Sequence, residues 1–551
     1  MDHIRLFNQI RDSKTIERAF RYALFDRINN DYYFDYFEMR YVFRNEKAII
    51  SELLEELETP EKYIPRPAYA YYPPKTDLCY RRMIYIPFKD LVVRYAFVII
   101  FAEYLDCELS PYCFANRRAI GERATDEFLK QFATETWPAF CHWQHDSIEK
   151  YPVLLRTDIS AFYDSISHDY LIQTIAKELS IDEDSIVLSV FRSLLRIPVI
   201  SYSQLSRTPQ EPQVQRQGLT IGNGTEGFLA NVYLKNVDEA MEKLPGIEFG
   251  RYNDDMRIFS HKREIALHAV LALQELLLTK GLNLNSSKTQ IAENAEQLEK
   301  LRSKIYQPSP SEGAQDEVEE EEAITQEVVT NNLLHEIDKP FDVFDRRFEL
   351  NEPIHKHSNA KKFCKFLKDP ELLPRSERRP EHMLTLGNIL TQWQGNGRSA
   401  SWLIIQSIFW KDIPQDTQRT AKKILFEVLQ NQEIDAYSYY RLLHHLVKRR
   451  GKTPKFRYID KLSNDEKQKI QVIVPSLLQK PAFELNLIGL YTLKVLGASH
   501  NELSEYVQIH VPKPVGEPIK KALSYLVEPI ENLPALEIDT EEEPDDRPEA
   551  Y

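Results

Sequence analysis

The sequence predicts an α+β fold for the first part of the chain and an all-α helical array for the second. Upstream of about residue 305, short strand-like apolar runs and glycine turns alternate with helical patterns. Downstream of about residue 330, apolar residues recur at three-to-four spacing in one segment after another. An acidic stretch rich in Pro, Ser and Gly separates the two patterns, so we expect a linker between two structural regions.

These patterns divide the 551 residues into five expected segments. They are an N-terminal helical segment, a mixed α/β domain, an acidic disordered linker or loop, a helical C-terminal domain and an acidic disordered tail, at residues 1–60, 61–305, 306–330, 331–536 and 537–551. Within the helical domain, Ser463 followed by Glu466 has the spacing of a capping box and predicts the start of a helix.

The net charge of −14 is concentrated in two segments. Residues 307–327 hold eight acids and no Lys or Arg, and residues 537–551 hold eight acids and one Arg, which leaves the remainder of the chain at a net charge of +1. A neutral body with local basic patches can hold phosphates, whereas a uniformly acidic surface would repel them. The overall charge therefore does not exclude a nucleic-acid binder.

The sequence gives no sign of a membrane protein or of a disulfide framework. No window approaches 18 consecutive apolar residues, and the N-terminus lacks the profile of a signal peptide, so we expect a cytoplasmic protein without membrane contact. The five cysteines form no C-x-x-C pair and are odd in number, so we expect reduced thiols rather than a zinc site or disulfides.

Two separate segments place carboxylates where they could hold a metal ion. Residues 153–166 (VLLRTDISAFYDSI) put Asp158 at the end of a short apolar run. Residues 247–260 (IEFGRYNDDMRIFS) have apolar flanks around a polar centre, which predicts a β-hairpin with Asp254 and Asp255 at its tip. Taken alone, the hairpin would favour a solvated turn over a metal site. Adjacent carboxylates repel each other, and a bound cation is the usual reason for keeping them together.

Together the two segments predict a particular chemistry. Two-metal phosphoryl transfer needs oxygen ligands from separate parts of the chain, on metals about 3.5–4 Å apart. Mg²⁺ prefers carboxylates, phosphates and water and needs neither Cys nor His. The sequence offers this kind of ligand set and predicts Mg²⁺-dependent transfer of a nucleotide.

Five motifs, in the family's order, resemble those of the reverse transcriptases. They are residues 81–93 (RRMIYIPFKDLVV, the fingers motif), Asp158 with Tyr163 (motif A), residues 217–234 (QGLTIGNGTEGFLANVYL, motif B in its I-G-N-x-T form), residues 252–255 (YNDD, motif C) and residues 281–291 (GLNLNSSKTQI, motif D). The resemblance covers roughly residues 60–300. It implies a right-hand polymerase, with fingers and palm of reverse-transcriptase type at residues 61–305, followed by the helical array.

The resemblance implies a metal site and a catalytic set. Asp158 and Asp254 would bind both of two Mg²⁺ ions, for which Mn²⁺ can substitute, and the Ile159 carbonyl would add a ligand. Asp255 would be the third acid of the metal site, near the primer end. Lys288 is the candidate acid for the pyrophosphate leaving group, with a solvated surface lysine as the alternative.

The resemblance also implies a nucleotide site. Lys75 and Arg82 correspond to the fingers cations that clamp the triphosphate, although Arg81 could replace Arg82. Tyr163 stands at the ring position that blocks a ribose 2′-hydroxyl and implies the use of dNTPs, with core packing as the alternative. The expected nucleotide-binding residues are Lys75, Arg82, Tyr163, Gly222, Asn223 and Tyr252.

Two positions depart from the family pattern and two more are candidates for stacking on bases or holding phosphates. Glu226 stands where motif B often carries Ser, and Asn253 replaces the more common Ala or Val of motif C. With Arg66 and Tyr69, they form the expected template or product contacts, although a packed Pro-aromatic turn would explain Tyr69 as well. Tyr551, on the acidic tail, is a candidate hydroxyl for protein priming.

A polymerase core joined to a long helical domain resembles the abortive-infection and unknown-group defence reverse transcriptases of bacteria. That resemblance implies a DNA polymerase acting on dNTPs in antiphage defence, either without a conventional template or with a dedicated noncoding RNA. It also implies a DNA product, a homo-oligomer and a possible second defence protein as partners. Two alternatives stay open: an RNA-templated enzyme of a retron-like or diversity-generating system, and an RNA- or protein-binding scaffold with a vestigial core.

Overall fold

The computed structural model describes residues 2–298 and 363–523 with gaps. In the first range the gaps are at 31, 76–78, 121–127, 202–212, 222–223 and 294–296; in the second they are at 365–366, 369–372, 393–396, 432–433, 449–455, 481, 512–518 and 520–521. The expected linker at 306–330 and tail at 537–551, with Tyr551, lie outside the described residues, as do Gly222 and Asn223.

Helices form the N-terminal part of the chain and pack on one long buried helix. The four N-terminal helices are α1 (His3–Ile10), α2 (Ser13–Asn29), α3 (Tyr36–Arg44) and α4 (Glu46–Glu56). Asp2, Asp12 and Asp35 cap the first three by accepting backbone N–H groups, as N-cap carboxylates do. Helix α2 packs along α5 (Phe88–Leu105), which is buried over nearly its whole length.

A small mixed sheet lies in the predicted fingers region. Its strands are β1 (Ala68–Tyr71), β2 (Met83–Tyr85), β4 (Pro198–Ser201) and β5 (Gln213–Val214), in the order β2-β1-β4-β5. Strand β1 pairs antiparallel with β2 and parallel with β4. The loop between β1 and β2 carries the predicted fingers cations.

A second sheet of four antiparallel strands lies in the predicted palm region. Its strands are β3 (Val153–Thr157), β6 (Ile247–Tyr252), β7 (Asp255–Ser260) and β8 (Gln290–Ala292), in the order β6-β7-β3-β8. Because side chains alternate along a strand, Val153 and Leu155 of β3 enter the core under the palm helices, while Leu154 faces the opposite side. Strand β3, which ends just before Asp158, therefore lies centrally, beside the predicted hairpin of β6 and β7.

Helices cover both faces of the palm sheet. One face packs against α10 (Gly224–Glu242) and α11 (Arg263–Thr279), and α6 (Trp137–Lys150) packs against the other through Phe140 and Trp143. The remaining helices of this half are α7 (Phe162–Ser165), α8 (His168–Leu179) and α9 (Ile186–Leu195).

The second half of the chain is helical in the described residues, as the sequence predicts. Its helices pack on one another, partly between neighbours in sequence and partly between every second helix: α12 (Pro380–Gln392), α13 (Gly397–Phe409), α14 (Gln415–Gln430), α15 (Ala436–Val447), α16 (Asn464–Leu477), α17 (Phe483–Val495) and α18 (His500–His510). The predicted capping box is confirmed, since Ser463 Oγ accepts from Glu466 N and Glu466 Oε2 accepts from Ser463 N at 2.8 Å. Within the described part of the chain, no helix is long and apolar enough to cross a membrane.

The hydrophobic core of the helical domain continues into the fingers. Its buried residues pack with Tyr33 and Phe37 of the N-terminal part and with Tyr71, Met83 and Tyr85 of the fingers sheet. The C-terminal helices therefore rest directly on the elements that carry the predicted fingers cations.

Candidate active site

Asp158 lies at the carboxyl end of β3, where the backbone is fixed by its neighbours. Its carbonyl accepts from Asn285 N at 2.7 Å, and its Oδ2 accepts from Lys288 Nζ at 3.2 Å. Burial raises the pKa of the Asp158 carboxyl, and the nearby Lys288 ammonium opposes that rise. The structure thus brings the predicted motif A acid and the predicted motif D lysine together.

The predicted hairpin with acids at its tip is confirmed. Strands β6 and β7 pair with Tyr252 opposite Asp255, and Asn253 in the turn adopts the left-handed conformation with φ of 56°. Asn is one of the few residues that tolerate this conformation, which explains why it suits the turn better than a β-branched residue. Burial and the neighbouring Asp158 carboxylate raise the pKa of Asp254 to about 7.

Asp255 is engaged by an arginine of its own strand. Arg257 donates to it from both terminal nitrogens, at 2.5 and 2.7 Å, and Arg257 Nε donates to Gln144 Oε1 at 2.9 Å. Although burial opposes it, the Arg257 guanidinium holds the pKa of Asp255 below its ordinary value. As the side chains lie, no group of three or more His, Cys, Asp or Glu among the described residues is arranged to hold a metal ion.

The remaining geometry fits a cation at Asp158 and Asp254. Their carboxylates raise each other's energy, so a divalent ion would relieve a repulsion that is visible in the raised pKa of Asp254. The buried Ile159 forms a bridge with Leu284 whose two hydrogen bonds use Asp158 O and Ser160 N. That bridge leaves the Ile159 carbonyl uninvolved, as a metal ligand requires.

A buried network that the sequence analysis missed supports the turn from below. Arg251 donates to both oxygens of Asp238 at 2.8 Å, to Asn231 Oδ1 at 2.8 Å and to the Asn253 carbonyl at 3.1 Å. Arg251 is fully buried. Its partners belong to α10, where Asn231 lies within the predicted motif B and Asp238 follows just after it. The sequence signal for this network was an arginine directly before the Y-N-D-D segment, next to Phe249 and Gly250.

A second contact holds the turn from the side. Asn116 Nδ2 donates to Asn253 Oδ1, and Asn231 Nδ2 donates to the Ala115 carbonyl at 2.7 Å. Gly227 makes this approach possible, since a Cβ there would lie 2.3 Å from the Asn116 side chain. The amide of Asn253 thus has a structural partner, and its contact with a template stays a prediction.

The predicted fingers cations face the segment that follows Asp158. Burial raises the pKa of Asp164, and Arg82, Lys75 and Arg81 oppose that rise, in this order of effect. Lys75 and Arg82 are exposed, whereas Arg81 donates to Tyr32 Oη at 3.1 Å. The structure therefore brings all three cations toward motif A and leaves Arg82, rather than Arg81, open to solvent.

Tyr163 lies beside motif B. Its carbonyl accepts from Leu219 N at 2.8 Å, and its ring is half-buried next to Phe162. Gly218 adopts φ of 84° and donates its N–H to Ile166 O at 2.7 Å, so the motif B loop closes onto motif A. The selection of dNTPs by Tyr163 stays a prediction.

The structure buries Glu226. Its carboxylate is 1% exposed, forms an ion pair with Arg94 and accepts from the hydroxyls of Thr220 and Thr225. Glu226 thus has its partners inside the core, which does not favour a contact with the template, and that contact stays a prediction. Burial of an acid is tolerated there because it is paired and hydrogen-bonded.

The structure also buries Tyr252. The side chain is 4% exposed, its hydroxyl lies 2.9 Å from Thr136 Oγ1, and its ring packs against Trp137 with centroids 5.2 Å apart. Tyr252 faces the core between the sheet and α6, which does not favour a contact with a nucleotide, and that contact stays a prediction.

Arg66 and Tyr69 also have protein partners in place of the predicted nucleic acid. Arg66 forms ion pairs with Glu56 and Asp90, which neutralise its charge. Tyr69 stacks on Phe483 of α17 with ring centroids 4.1 Å apart and an interplanar angle of 9°. The packing expected in the alternative interpretation therefore describes Tyr69 better, although Ala68–Tyr71 form strand β1 and not a turn.

Comparison with known proteins identifies one domain. Residues 118–318, which include Asp158 and the whole acidic hairpin, match the family model described as reverse transcriptase (RNA-dependent DNA polymerase). Among solved structures, an apo telomerase from Candida Tropicalis truncated from the C-terminal domain is 16% identical, with a TM-score of 0.24, over 28% of this chain and 34% of that chain. The similarity thus spans about a third of that structure. No curated protein matches the chain.

Proposed function

We propose that this chain, whose residues 118–318 form a reverse-transcriptase domain, is a DNA polymerase that adds dNTPs by two-metal nucleotidyl transfer. The observation that carries the proposal is that Asp158 and Asp254, from separate segments, lie close together. Burial and the neighbouring Asp158 carboxylate together raise the pKa of Asp254. Two carboxylates held side by side next to a cluster of fingers cations suit a substrate that arrives as a metal-bound triphosphate.

Mg²⁺ would be held by Asp158, Asp254 and the Ile159 carbonyl, with Mn²⁺ as a substitute, and Asp255 would join after leaving Arg257. Such a metal pair supplies charge neutralisation on the triphosphate and eases deprotonation of the primer hydroxyl. The residues themselves orient the two oxygen centres, because Asp158 is fixed by the backbone of Asn285 and Asp254 by the hairpin.

Arg82 and Lys75 would bind the triphosphate, and Lys288 would protonate the departing pyrophosphate. The opposing effect of both cations on the pKa of Asp164 supports the first role, since it puts their charges beside motif A. The contact of Lys288 Nζ with Asp158 Oδ2 at 3.2 Å supports the second. Tyr163 would exclude a ribose 2′-hydroxyl, and Gly222 with Asn223 would lie under the incoming base.

We further propose a cytoplasmic role in antiphage defence, with DNA made either without a conventional template or on a dedicated noncoding RNA. This finer proposal rests on the resemblance of the polymerase core and its helical domain to defence-associated enzymes. A homo-oligomer, a second defence protein and priming from Tyr551 belong to the same proposal. Packing of the helical domain on the fingers supports a joint function of the two parts.

The test is dNTP incorporation by the purified chain with Mg²⁺, with and without added primer and template. We expect Asp158→Asn and Asp254→Asn each to lower the rate at least about a thousandfold, because each removes charge from the metal site. Asp184→Asn, which neutralises an exposed acid before α9, is the matched control and should keep full activity.

The same assay separates the alternatives. Product that survives prior RNase treatment would favour synthesis without an RNA template, and protease-sensitive migration of that product would add protein priming. Product lost on RNase treatment would favour a bound RNA. Absence of product with every template would contradict the polymerase and favour the scaffold.

A further inference from the structure

Two arginines stand directly opposite each other on the palm sheet. Arg156 of β3 is the register partner of Arg257 of β7. Like charges placed opposite on neighbouring strands destabilise a sheet. Such a pair beside a candidate active site therefore needs a compensating anion.

Only one of the two guanidiniums is satisfied by protein groups. Arg257 holds Asp255 with both terminal nitrogens, donates through Nε to Gln144 and donates to the Met256 carbonyl at 3.1 Å. In the part of the chain that the structure describes, no hydrogen bond or ion pair engages the guanidinium of Arg156. Asp255 is thus the nearby carboxylate for two positive charges, and it is hydrogen-bonded to Arg257. The N–H groups of the half-buried Arg156 guanidinium can therefore donate to a further anion.

The spare cation lies on the face of the sheet that carries the acids. Asp255 and Arg257 are two residues apart on β7 and so point to the same side, and Arg156 opposite Arg257 points there too. Asp158 follows Arg156 by two residues at the end of β3. An anion bound by Arg156 would therefore lie next to the metal site but further along the strands, away from the turn.

We propose that Arg156 binds a backbone phosphate at the growing end of the DNA strand, with Arg257 and Asp255 holding the site in shape. The proposal rests on the proposed function and names a ligand for it. The incoming triphosphate is a poorer candidate, because Lys75 and Arg82 already supply cations near Asp164, in the segment that follows Asp158. The growing strand is the second phosphate-bearing reactant, and its end must reach the same acids.

The first measurement is equilibrium binding of a fluorescein-labelled DNA primer annealed to an RNA template, at several salt concentrations and without dNTPs. We expect Arg156→Gln to weaken binding about tenfold, as the loss of one charge-assisted hydrogen bond does. The slope of log affinity against log salt is negative, and in Arg156→Gln it should become less steep by about 0.7–0.9, the contribution of one phosphate contact. Arg419→Gln, at an exposed position of α14, is the control and should change neither quantity.

A second probe carries an uncharged methylphosphonate in place of the last phosphate before the primer terminus. The wild-type chain should lose about tenfold in affinity for it, whereas Arg156→Gln should lose little, since the two changes remove the same contact. Additive losses, or an unchanged salt slope in Arg156→Gln, would overturn the proposal.

Stability and activity separate this site from a structural role and from the proposed function. Arg156→Gln should leave the urea-unfolding midpoint unchanged or higher, because repulsion from Arg257 is removed; a fall in the midpoint with an unchanged salt slope would mean that Arg156 supports only the fold. Incorporation of dNTPs is measured in parallel on the wild-type chain. Arg156-dependent binding without incorporation would keep the phosphate site and reject the polymerase.

Discussion

At the residue scale, charged side chains inside the core decide which parts of the site are fixed. Two buried ion pairs join different elements: Glu226 of α10 pairs with Arg94 of α5, and Arg251 of β6 pairs with Asp238 of α10. Breaking one member of such a pair leaves an uncompensated charge in a medium of low polarity. The motif B departure at Glu226 is therefore matched by Arg94 of α5 and has a structural origin.

Arg251 provides a prediction about the hairpin. Arg251→Met should lower the free energy of unfolding by about 3–5 kcal/mol, because Asp238 stays buried without its partner. The double variant Arg251→Met with Asp238→Leu should regain most of that stability, since both charges are gone. It should still incorporate dNTPs poorly, because the Asn253 carbonyl has lost its donor.

Urea unfolding and incorporation rates, measured on the same preparations, check this prediction. Full recovery of activity in the double variant would mean that the network serves stability alone. A control pair with no contact to the turn is Glu226→Gln with Arg94→Met, which should affect stability more than the metal dependence of the rate.

His168 gives a prediction about pH. Burial lowers the pKa of His168 from 6.5 to about 4, and its Nε2 lies 2.7 Å from the Gly218 carbonyl. As the pH falls from 6.5 towards 4, the unfolded chain takes up a proton that the folded chain does not, so folding stability is lost across this window. The loss attributable to His168 should reach about 3 kcal/mol near pH 4 and be absent above pH 7.

The measurement is the unfolding free energy of wild type and His168→Gln between pH 7 and pH 4. We expect the difference between the two to shift in favour of the variant as the pH falls. A difference that is independent of pH would contradict the neutral, buried imidazole.

At the element scale, the position of the acidic hairpin depends on the close approach of α6. Gly250 lies in β6 opposite Arg257, and a Cβ at Gly250 would come 2.6 Å from the Trp143 ring. Trp143 is itself held by a hydrogen bond from Nε1 to Glu248 Oε1 at 2.6 Å. The helix and the strand are thus locked together two residues before the Y-N-D-D segment.

Gly250→Ala tests this packing. We expect a loss of about 1–3 kcal/mol in stability, since the tryptophan ring must move or the strand must bend. Gly250→Ala with Trp143→Phe should restore part of that loss by making space. Thermal unfolding of the single and double variants measures the effect; equal stability of Gly250→Ala and wild type would show that the ring adapts freely.

At the scale of the whole molecule, the helical domain is joined to the fingers by aromatic contacts. Tyr440 Oη accepts from Phe34 N at 2.9 Å, and Tyr36 stacks on Tyr491 with centroids 4.3 Å apart. Together with the stack of Tyr69 on α17, these contacts make one continuous core of the fingers and the C-terminal helices. The two halves are therefore expected to unfold together.

Tyr440→Phe tests this coupling. Loss of the hydroxyl leaves the Phe34 N–H without its acceptor, and we expect a cost of about 1–3 kcal/mol that appears in both halves. Hydrogen exchange in α3, β1 and α17 measures it. Tyr506→Phe, on α18 away from the fingers, should leave exchange in the fingers unchanged. Faster exchange confined to the helical domain would contradict a shared core.

The sequence by itself determined the local elements and the order of the motifs. Apolar periodicity predicts the strand before Asp158, the hairpin at residues 247–260 and the helices after residue 330, because each depends on interactions within a few residues. The same is true of the capping box at Ser463. Spacing and residue type were also enough to single out Asp158 and Asp254.

Only the tertiary structure decided which side chains face one another. Two such contacts join residues from different elements: Glu226 is buried against Arg94, and Tyr69 stacks on Phe483. A third, between Asp255 and Arg257, lies within one strand but depends on the helix packed against it. No periodicity within one segment encodes such partners, since they depend on how sheets and helices pack. A charged side chain can be buried only where it meets an opposite charge or hydrogen-bond partners. Side chains that are paired in this way are not exposed, so they are not available for the nucleic-acid contacts that the sequence suggested.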